Sequence, residues 1–238
     1  MEYRELHPWQ VSPGEARRIQ DKLRDRVVIS PLPSGIRHVA GADVSFDKGS
    51  NLVHAAVVLI RLPDLVVVEK RGVSERTSFP YVPGLLAFRE GPPVLRAWEQ
   101  LTTRPDVVMF DAHGMAHPRR FGLACHLGLI LSVPSVGCAK SVLVGSYRDP
   151  GPRAGDMSPL VDGGEEVGMA LRTRDRVSPV FVTVGHKSDL PTAVELVLAC
   201  THGYRVPEPT RQAHLVVNAL RRGESIDSAG DSVQETLF

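Results

Sequence analysis

Residues 36–46 read Ile36-Arg37-His38-Val39-Ala40-Gly41-Ala42-Asp43-Val44-Ser45-Phe46, and residues 107–111 read Val107-Val108-Met109-Phe110-Asp111. The second run is wholly apolar up to Asp111, the pattern of a short central strand covered on both faces. The first is a longer strand whose apolar course Asp43 interrupts. A carboxylate inside a buried strand is costly unless something cationic meets it. Taken alone, Asp43 fits a salt-bridged or edge-exposed aspartate as well as a functional one. Asp111 stands where α/β sheets gather functional side chains, just past a strand's carboxyl end, and where a turn or helix cap also favours aspartate. Two acids from two separate central strands shift the balance towards function. Carboxylate oxygens with open water positions are how Mg²⁺ is usually held.

Around these two strands the chain alternates in a regular way. Upstream, Ser12-Pro13-Gly14-Glu15 is a capping box with proline at the first helical position, and Ala16, Ile19, Leu23 and Val27 follow at helical spacing, so a helix is expected over 13–27. Strands are expected at Ile36–Phe46, Leu52–Ile60 and Leu65–Val73, an antiparallel meander closed by the turn Arg61-Leu62-Pro63-Asp64. Two helical stretches follow, Leu85–Glu90 and one from Pro92 to about Leu101. Beyond the Val107–Phe110 strand, a helix is expected over Arg120–Leu131 and a buried strand over Ser135–Ala139. Residues 147–165, rich in Gly, Pro and Asp, read as an exposed loop. Val167–Leu171 and Val180–Val184 read as a late hairpin, and Leu190–Cys200 and Thr210–Arg222 as closing helices. This order predicts one mixed α/β domain over residues 1–223 and a polar, disordered tail over 224–238.

Composition narrows the class further. Of 238 residues, 42% are hydrophobic and 23% charged, which is ordinary for a globular protein, and the net charge is only +1. A basic nucleic-acid face, if present, is therefore local. Cys125, Cys138 and Cys200 form no CxxC pair, which argues against a disulfide framework or structural zinc and fits a reducing cytoplasm. The N-terminus lacks an apolar core of the signal-peptide kind, and no apolar run reaches membrane-spanning length, so no membrane association is expected. GxGxxG, GxxxxGK[ST] and GxSxG are absent. With no long exposed heptad or apolar helix, a monomer is the expectation.

Other candidate residues lie near the two acids in sequence order. Glu90 closes Leu85-Leu86-Ala87-Phe88-Arg89-Glu90 and, taken alone, reads as a solvated helix-end acid. Lys140 follows the buried strand Ser135–Ala139, from which a lysine reaches an anion held at the strand ends; alone, it reads as a surface lysine. His113 and His117 have the i, i+4 spacing of a zinc pair, but Gly114 and Pro118 oppose a helix there. The run His117-Pro118-Arg119-Arg120 reads instead as a cationic loop suited to phosphate.

These segments together resemble the endonuclease V family. The resemblance is carried by Ala40–Phe46, by Pro80-Tyr81-Val82-Pro83-Gly84-Leu85-Leu86-Ala87-Phe88-Arg89-Glu90, by Asp111-Ala112-His113-Gly114-Met115-Ala116-His117-Pro118-Arg119-Arg120, by Val136–Lys140, and by Gly203-Tyr204-Arg205-Val206-Pro207-Glu208-Pro209-Thr210-Arg211. The second block is the most specific. Two departures are Ala112, where glycine is common, and Cys138, where valine is usual.

The resemblance implies a ribonuclease-H-like fold, an α/β architecture with a central five-stranded mixed sheet flanked by helices. It also implies cleavage of the second phosphodiester bond 3′ to deoxyinosine, leaving 3′-hydroxyl and 5′-phosphate ends. Asp43 and Asp111 would hold Mg²⁺, with Mn²⁺ able to substitute. Glu90 would complete the acidic cluster, and His214 falls where the family carries Asp or His near the metal. Lys140 would bind the scissile phosphate or orient the nucleophile. Pro80, Tyr81, Val82, Pro83 and Gly84 resemble the family's wedge, which fills the gap when the lesion leaves the stack. Backbone near Gly84 and Gly114 would accept the hypoxanthine, while His117, Arg119 and Arg120 would contact the strand. The implied partner is DNA containing deoxyinosine or other deaminated bases. Inosine-containing RNA, a damaged-strand binding module that does not cut, and a zinc hydrolase built on His113 and His117 are the alternatives.

Overall fold

The computed structural model describes residues 1–47 and 49–226. The meander forms as the short turns require. Strand β1 (His38–Phe46) pairs antiparallel with β2 (Leu52–Arg61), which pairs with β3 (Val66–Arg76). On its other side β1 runs parallel to β4 (Val107–Phe110), with Val39 opposite Val107 and Ala42 opposite Phe110. β4 in turn runs parallel to β5 (Ser135–Ala139).

The sheet does not stop at the expected five strands. β6 (Met157–Asp162), β7 (Glu165–Leu171) and β8 (Val180–Val184) extend it to eight, in the order β3-β2-β1-β4-β5-β8-β7-β6. β6 lies inside the stretch read as an exposed loop. It is an edge strand with only Leu160 buried, so it lacks an apolar signature, and an edge tolerates its Pro159. Its turn is Gly163-Gly164, both at positive φ, the two-residue connection that suits the twist of a hairpin.

Helices cover both faces. α2 (Leu86–Glu99) and α3 (Leu123–Leu131) bury Val94, Trp98, Leu127 and Ile130 against Ala40, Ala42, Val108 and Phe110. On the opposite face α4 (Leu190–Ala199) packs on Val39, Val107 and Met109, and α5 (Glu208–Arg221) on Ala56, Val58 and Ile60. The central strands are thus apolar on both sides. The two helices expected around Gly91 are one: Pro92 and Pro93 lie inside α2, whose packing on the core offsets the lost backbone bonds. Helix α1 (Pro13–Leu23) has the expected capping box but yields to a tighter turn over Arg24–Arg26. α3 begins later than expected because Arg120 adopts a left-handed φ of 53° and Gly122 is extended.

The expected disordered tail lies, from residue 227 on, outside the described residues. Before that point the Glu224 amide donates to the Ala219 carbonyl at 2.9 Å, and Ile226 packs beside Leu220 on the α5 cluster. The three cysteines are free and buried. Among the described residues no helix is long and apolar enough to cross a membrane.

Candidate active site

Strand register brings the two aspartates together. Ala42 pairs with Phe110, and the Asp111 amide donates to the Ala42 carbonyl at 3.3 Å, so Asp43 and Asp111 come next on neighbouring parallel strands. Both side chains are about 10% exposed. Glu90 reaches the same strand ends from α2, and all three carboxylates line one small cavity floored by Phe110, Val94 and Leu123. Glu90 is buried, and among the described residues no hydrogen-bond donor meets its carboxylate.

Cations and donors surround this acidic centre. The Lys140 ammonium, at the end of β5, rests on Asp111 Oδ2. His214, on α5, places its Nδ1 2.8 Å from Asp43 Oδ2. Asn218, one turn further along α5, lies 2.9 Å from His214 Nε2. With the Asn218 amide donating there, the imidazole proton sits on Nδ1 and is given to Asp43. The Val44 amide donates to the other Asp43 oxygen at 2.8 Å.

Burial, and then the charges of Asp43 and Asp111, hold the Glu90 carboxyl well above its ordinary range. Asp111 is also raised, first by burial and then by Asp43, with Lys140 pulling the other way. A carboxyl whose folded pKa exceeds its unfolded value stabilises the fold at low pH and loses that contribution as pH rises through the folded value. The metal-free protein is therefore expected to melt at progressively lower temperature as pH rises above 4.5, the ordinary value for Glu. Glu90→Gln should flatten this dependence and raise the melting temperature at neutral pH. Thermal scans of both proteins in chelator check it; equal slopes would mean that Glu90 is not strained by its neighbours.

The donor set suits a hard divalent cation. Among the described residues no three His, Cys, Asp or Glu side chains form a ready-made cage. Two carboxylates completed by water and substrate phosphate is how Mg²⁺ is commonly held, whereas a zinc site recruits three or four protein ligands. His113 and His117 do not form the alternative zinc pair. His113 Nε2 donates to the Ser141 carbonyl at 2.8 Å and His117 Nε2 to the Gly84 carbonyl at 2.9 Å. Burial lowers the pKa of both, that of His117 to about 4, so both rings are neutral.

Beside the carboxylates lies a pocket of about 350 Å³. One wall is the turn Val82-Pro83-Gly84-Leu85, closed by the Leu85 amide on the Val82 carbonyl at 2.9 Å. Proline precedes a glycine at φ 76°, the arrangement a type II turn demands. Three donors, Gln20 Nε2, His117 Nε2 and Arg119 Nη2, converge on the Gly84 carbonyl at 3.1, 2.9 and 2.7 Å. The loop is held stiff while Tyr81 at its tip is 68% exposed. The facing wall is Lys140–Leu143, and Asp111, His113 and Gly122 also line the space.

Some expected contacts fall elsewhere. Gly114 does not line the pocket; a Cβ there would sit 1.9 Å from the Val184 carbonyl, so its glycine serves close packing. Arg119 is bound to the Gly84 carbonyl and to Gln20 Oε1, and Arg120 to Asp162 and Glu165 of the β6–β7 hairpin. Both guanidiniums, expected at phosphates, are engaged with the protein. Pro80 precedes the wedge tip without lining the pocket. Gln20 and Asn218 escaped the sequence reading. Gln20 carried one signal, a polar residue on the apolar stripe of α1, and Asn218 another, the i+4 position from His214.

Asp43 within β1 and Asp111 just past β4, on adjacent parallel strands, with a helix-borne glutamate and a lysine beside them, fit the ribonuclease-H-like class of divalent-metal nucleases. The model of the Endonuclease V family matches residues 21–215. This chain belongs to the Endonuclease V family, nucleases acting on DNA. It is 50% identical over 221 residues to the endonuclease V of Myxococcus xanthus, covering 92% of this chain and 94% of that one. The crystal structure of the Streptomyces avermitilis endonuclease V superposes with a TM-score of 0.86 at 45% identity, covering 94% of this chain and 99% of the other. That of the Ciona intestinalis endonuclease V, in complex with a 23-mer DNA containing an inosine followed by a ribo-adenosine, superposes with a TM-score of 0.79 at 26% identity, covering 90% and 99%.

Proposed function

We propose that this protein is a magnesium-dependent deoxyinosine 3′ endonuclease that incises the second phosphodiester bond 3′ to the lesion. The observation that carries this reading is the meeting of Asp43, Glu90 and Asp111 in one cavity next to a base-sized pocket. The Ciona complex with inosine-containing DNA supports the choice of lesion.

Asp43 and Asp111 would hold Mg²⁺, or Mn²⁺ in its place. The bound cation supplies neutralisation of phosphate charge and a lowered pKa for a bound water. His214 turns the Asp43 carboxylate by donating to Oδ2, and Asn218 keeps that imidazole in the donating tautomer. Glu90, held protonated more readily than an exposed acid, is poised to move a proton at the strand ends. Lys140, 38% exposed on Asp111, would meet the scissile phosphate from the pocket side. Tyr81 would stack in the space the extruded nucleotide leaves, with Pro83 and Gly84 fixing the loop behind it. Arg119 contributes by bracing that loop. Arg120 would have to leave two carboxylates to reach a phosphate, so its part is to anchor the hairpin. Free, buried thiols fit a cytoplasmic site of action.

The test is incision of end-labelled duplexes carrying one deoxyinosine, with unmodified DNA and inosine RNA as parallel arms. Expected is a single Mg²⁺-dependent nick at the second bond 3′ to deoxyinosine, with 3′-hydroxyl and 5′-phosphate ends. A cut at another bond, equal cutting of unmodified DNA, or binding without cutting would overturn the reading; preference for the RNA arm would move the substrate.

A further inference from the structure

We infer that Arg205 is a positioning residue for the reaction, acting through Lys140. The inference rests on the proposed role of Lys140 at the scissile phosphate.

Lys140 is the first residue beyond β5, with no strand partner to fix it. One guanidinium supplies that support from across the fold. Arg205 lies in the segment between α4 and α5, and its Nη2 donates to the Lys140 carbonyl at 2.7 Å. The same Nη2 reaches the Pro179 carbonyl at 2.8 Å, and Nε reaches the Ser178 carbonyl at 2.9 Å. Three carbonyls from two segments are tied to one planar, always charged group, a fork that lysine cannot reproduce. The Thr173 hydroxyl donates to the Arg205 carbonyl at 2.6 Å and so anchors the arginine itself.

The tether lies outside the reacting centre, for Arg205 reaches only main-chain oxygens. Its consequence is nonetheless local. Lys140 must keep its ammonium on Asp111 and at the pocket wall, and the direction of its side chain follows from the peptide plane that Arg205 holds. No other side chain donates to the Lys140 carbonyl among the described residues.

A double-mutant cycle separates positioning from bulk stability, because residues acting as a unit are non-additive. Single-turnover incision of the deoxyinosine duplex is measured with excess Mg²⁺ for the parent, Arg205→Ala, Lys140→Ala and the double variant. Binding of the uncleaved duplex in Ca²⁺ and melting temperature are followed in parallel. Arg205→Ala should slow the parent about 100-fold, the scale of a misplaced catalytic group, with binding changed much less. In the Lys140→Ala background the same change should slow incision by no more than about 3-fold if the two residues act as one unit. Arg205→Lys, which keeps the charge and loses the fork, should fall between parent and Arg205→Ala, and it serves if the alanine variant does not fold.

Equal slowing in both backgrounds, or no slowing in the parent, would overturn the inference. Wild-type incision by Lys140→Ala would instead remove the reading of Lys140 on which it rests.

Discussion

Asp111→Asn is expected to give a folded protein that binds a deoxyinosine duplex and scarcely cuts it. The amide has the shape of the carboxylate, so packing at the end of β4 is kept. What disappears is the charge that, with Asp43, would hold the divalent cation. Stabilisation of transition-state charge by such a cation amounts to several kcal/mol, so single-turnover incision should fall roughly 1,000-fold or more. Asp43→Ala should do the same. Because burial, and then Asp43, hold the Asp111 carboxyl above its ordinary range even with Lys140 pulling the other way, removing its charge should leave the metal-free protein at least as stable as the parent. Incision rate, duplex binding and melting temperature, measured together, check this. A variant cutting within tenfold of the parent would falsify the assignment of Asp111, and a variant that fails to fold would show that the carboxylate is structural.

The second large effect comes from a residue with no side chain. Gly41, two positions before Asp43, is where β1 passes under the start of α5. A Cβ built there would lie 1.9 Å from the Pro209 carbonyl oxygen and 2.7 Å from the Thr210 nitrogen. Both are main-chain atoms and neither can rotate aside. Gly41→Ala must therefore push α5 away from the sheet, and α5 carries His214, whose imidazole orients Asp43. Overpacking of a rigid site typically costs up to about 3 kcal/mol, occasionally more. For a chain of this size that corresponds to a melting temperature lower by roughly 6–12 °C. Incision should fall as well, since the His214–Asp43 contact is broken even in molecules that remain folded. Thermal melts and single-turnover assays test both halves. A melting temperature unchanged within a degree or two would show that α5 gives way at Gly41 without cost to the fold.

The acids were legible because each breaks a pattern. Asp43 interrupts a strand buried on both faces and Asp111 terminates another, and that contradiction between residue type and environment can be read without coordinates. Glu90 is different. Its local context, a charged residue on a helix with no oddity beside it, says nothing about burial or about two aspartates across the sheet, and only the resemblance pointed to it. For Arg119 and Arg120 the charge is visible in sequence while their protein partners are not; Gln20 and Asp162 lie far away along the chain. Strand β6 was missed for a related reason, although its partner β7 was expected from Val167 to Leu171. An edge strand with one buried side chain has no hydrophobic period to betray it, and Gly, Pro and Asp signal turns equally well inside or outside a sheet. The single helix α2 shows the reverse error, in which two prolines outweighed an apolar face that tertiary packing holds together.

Asp43 and Asp111 are expected to share one divalent cation. Crystals of the protein soaked in Mn²⁺, with anomalous differences collected at the manganese edge, address it directly. The structure predicts a peak bonded to carboxylate oxygens of both residues, lost in Asp111→Asn crystals treated alike. A peak bound elsewhere, or none at all from protein that incises deoxyinosine DNA in the same Mn²⁺ solution, would contradict it.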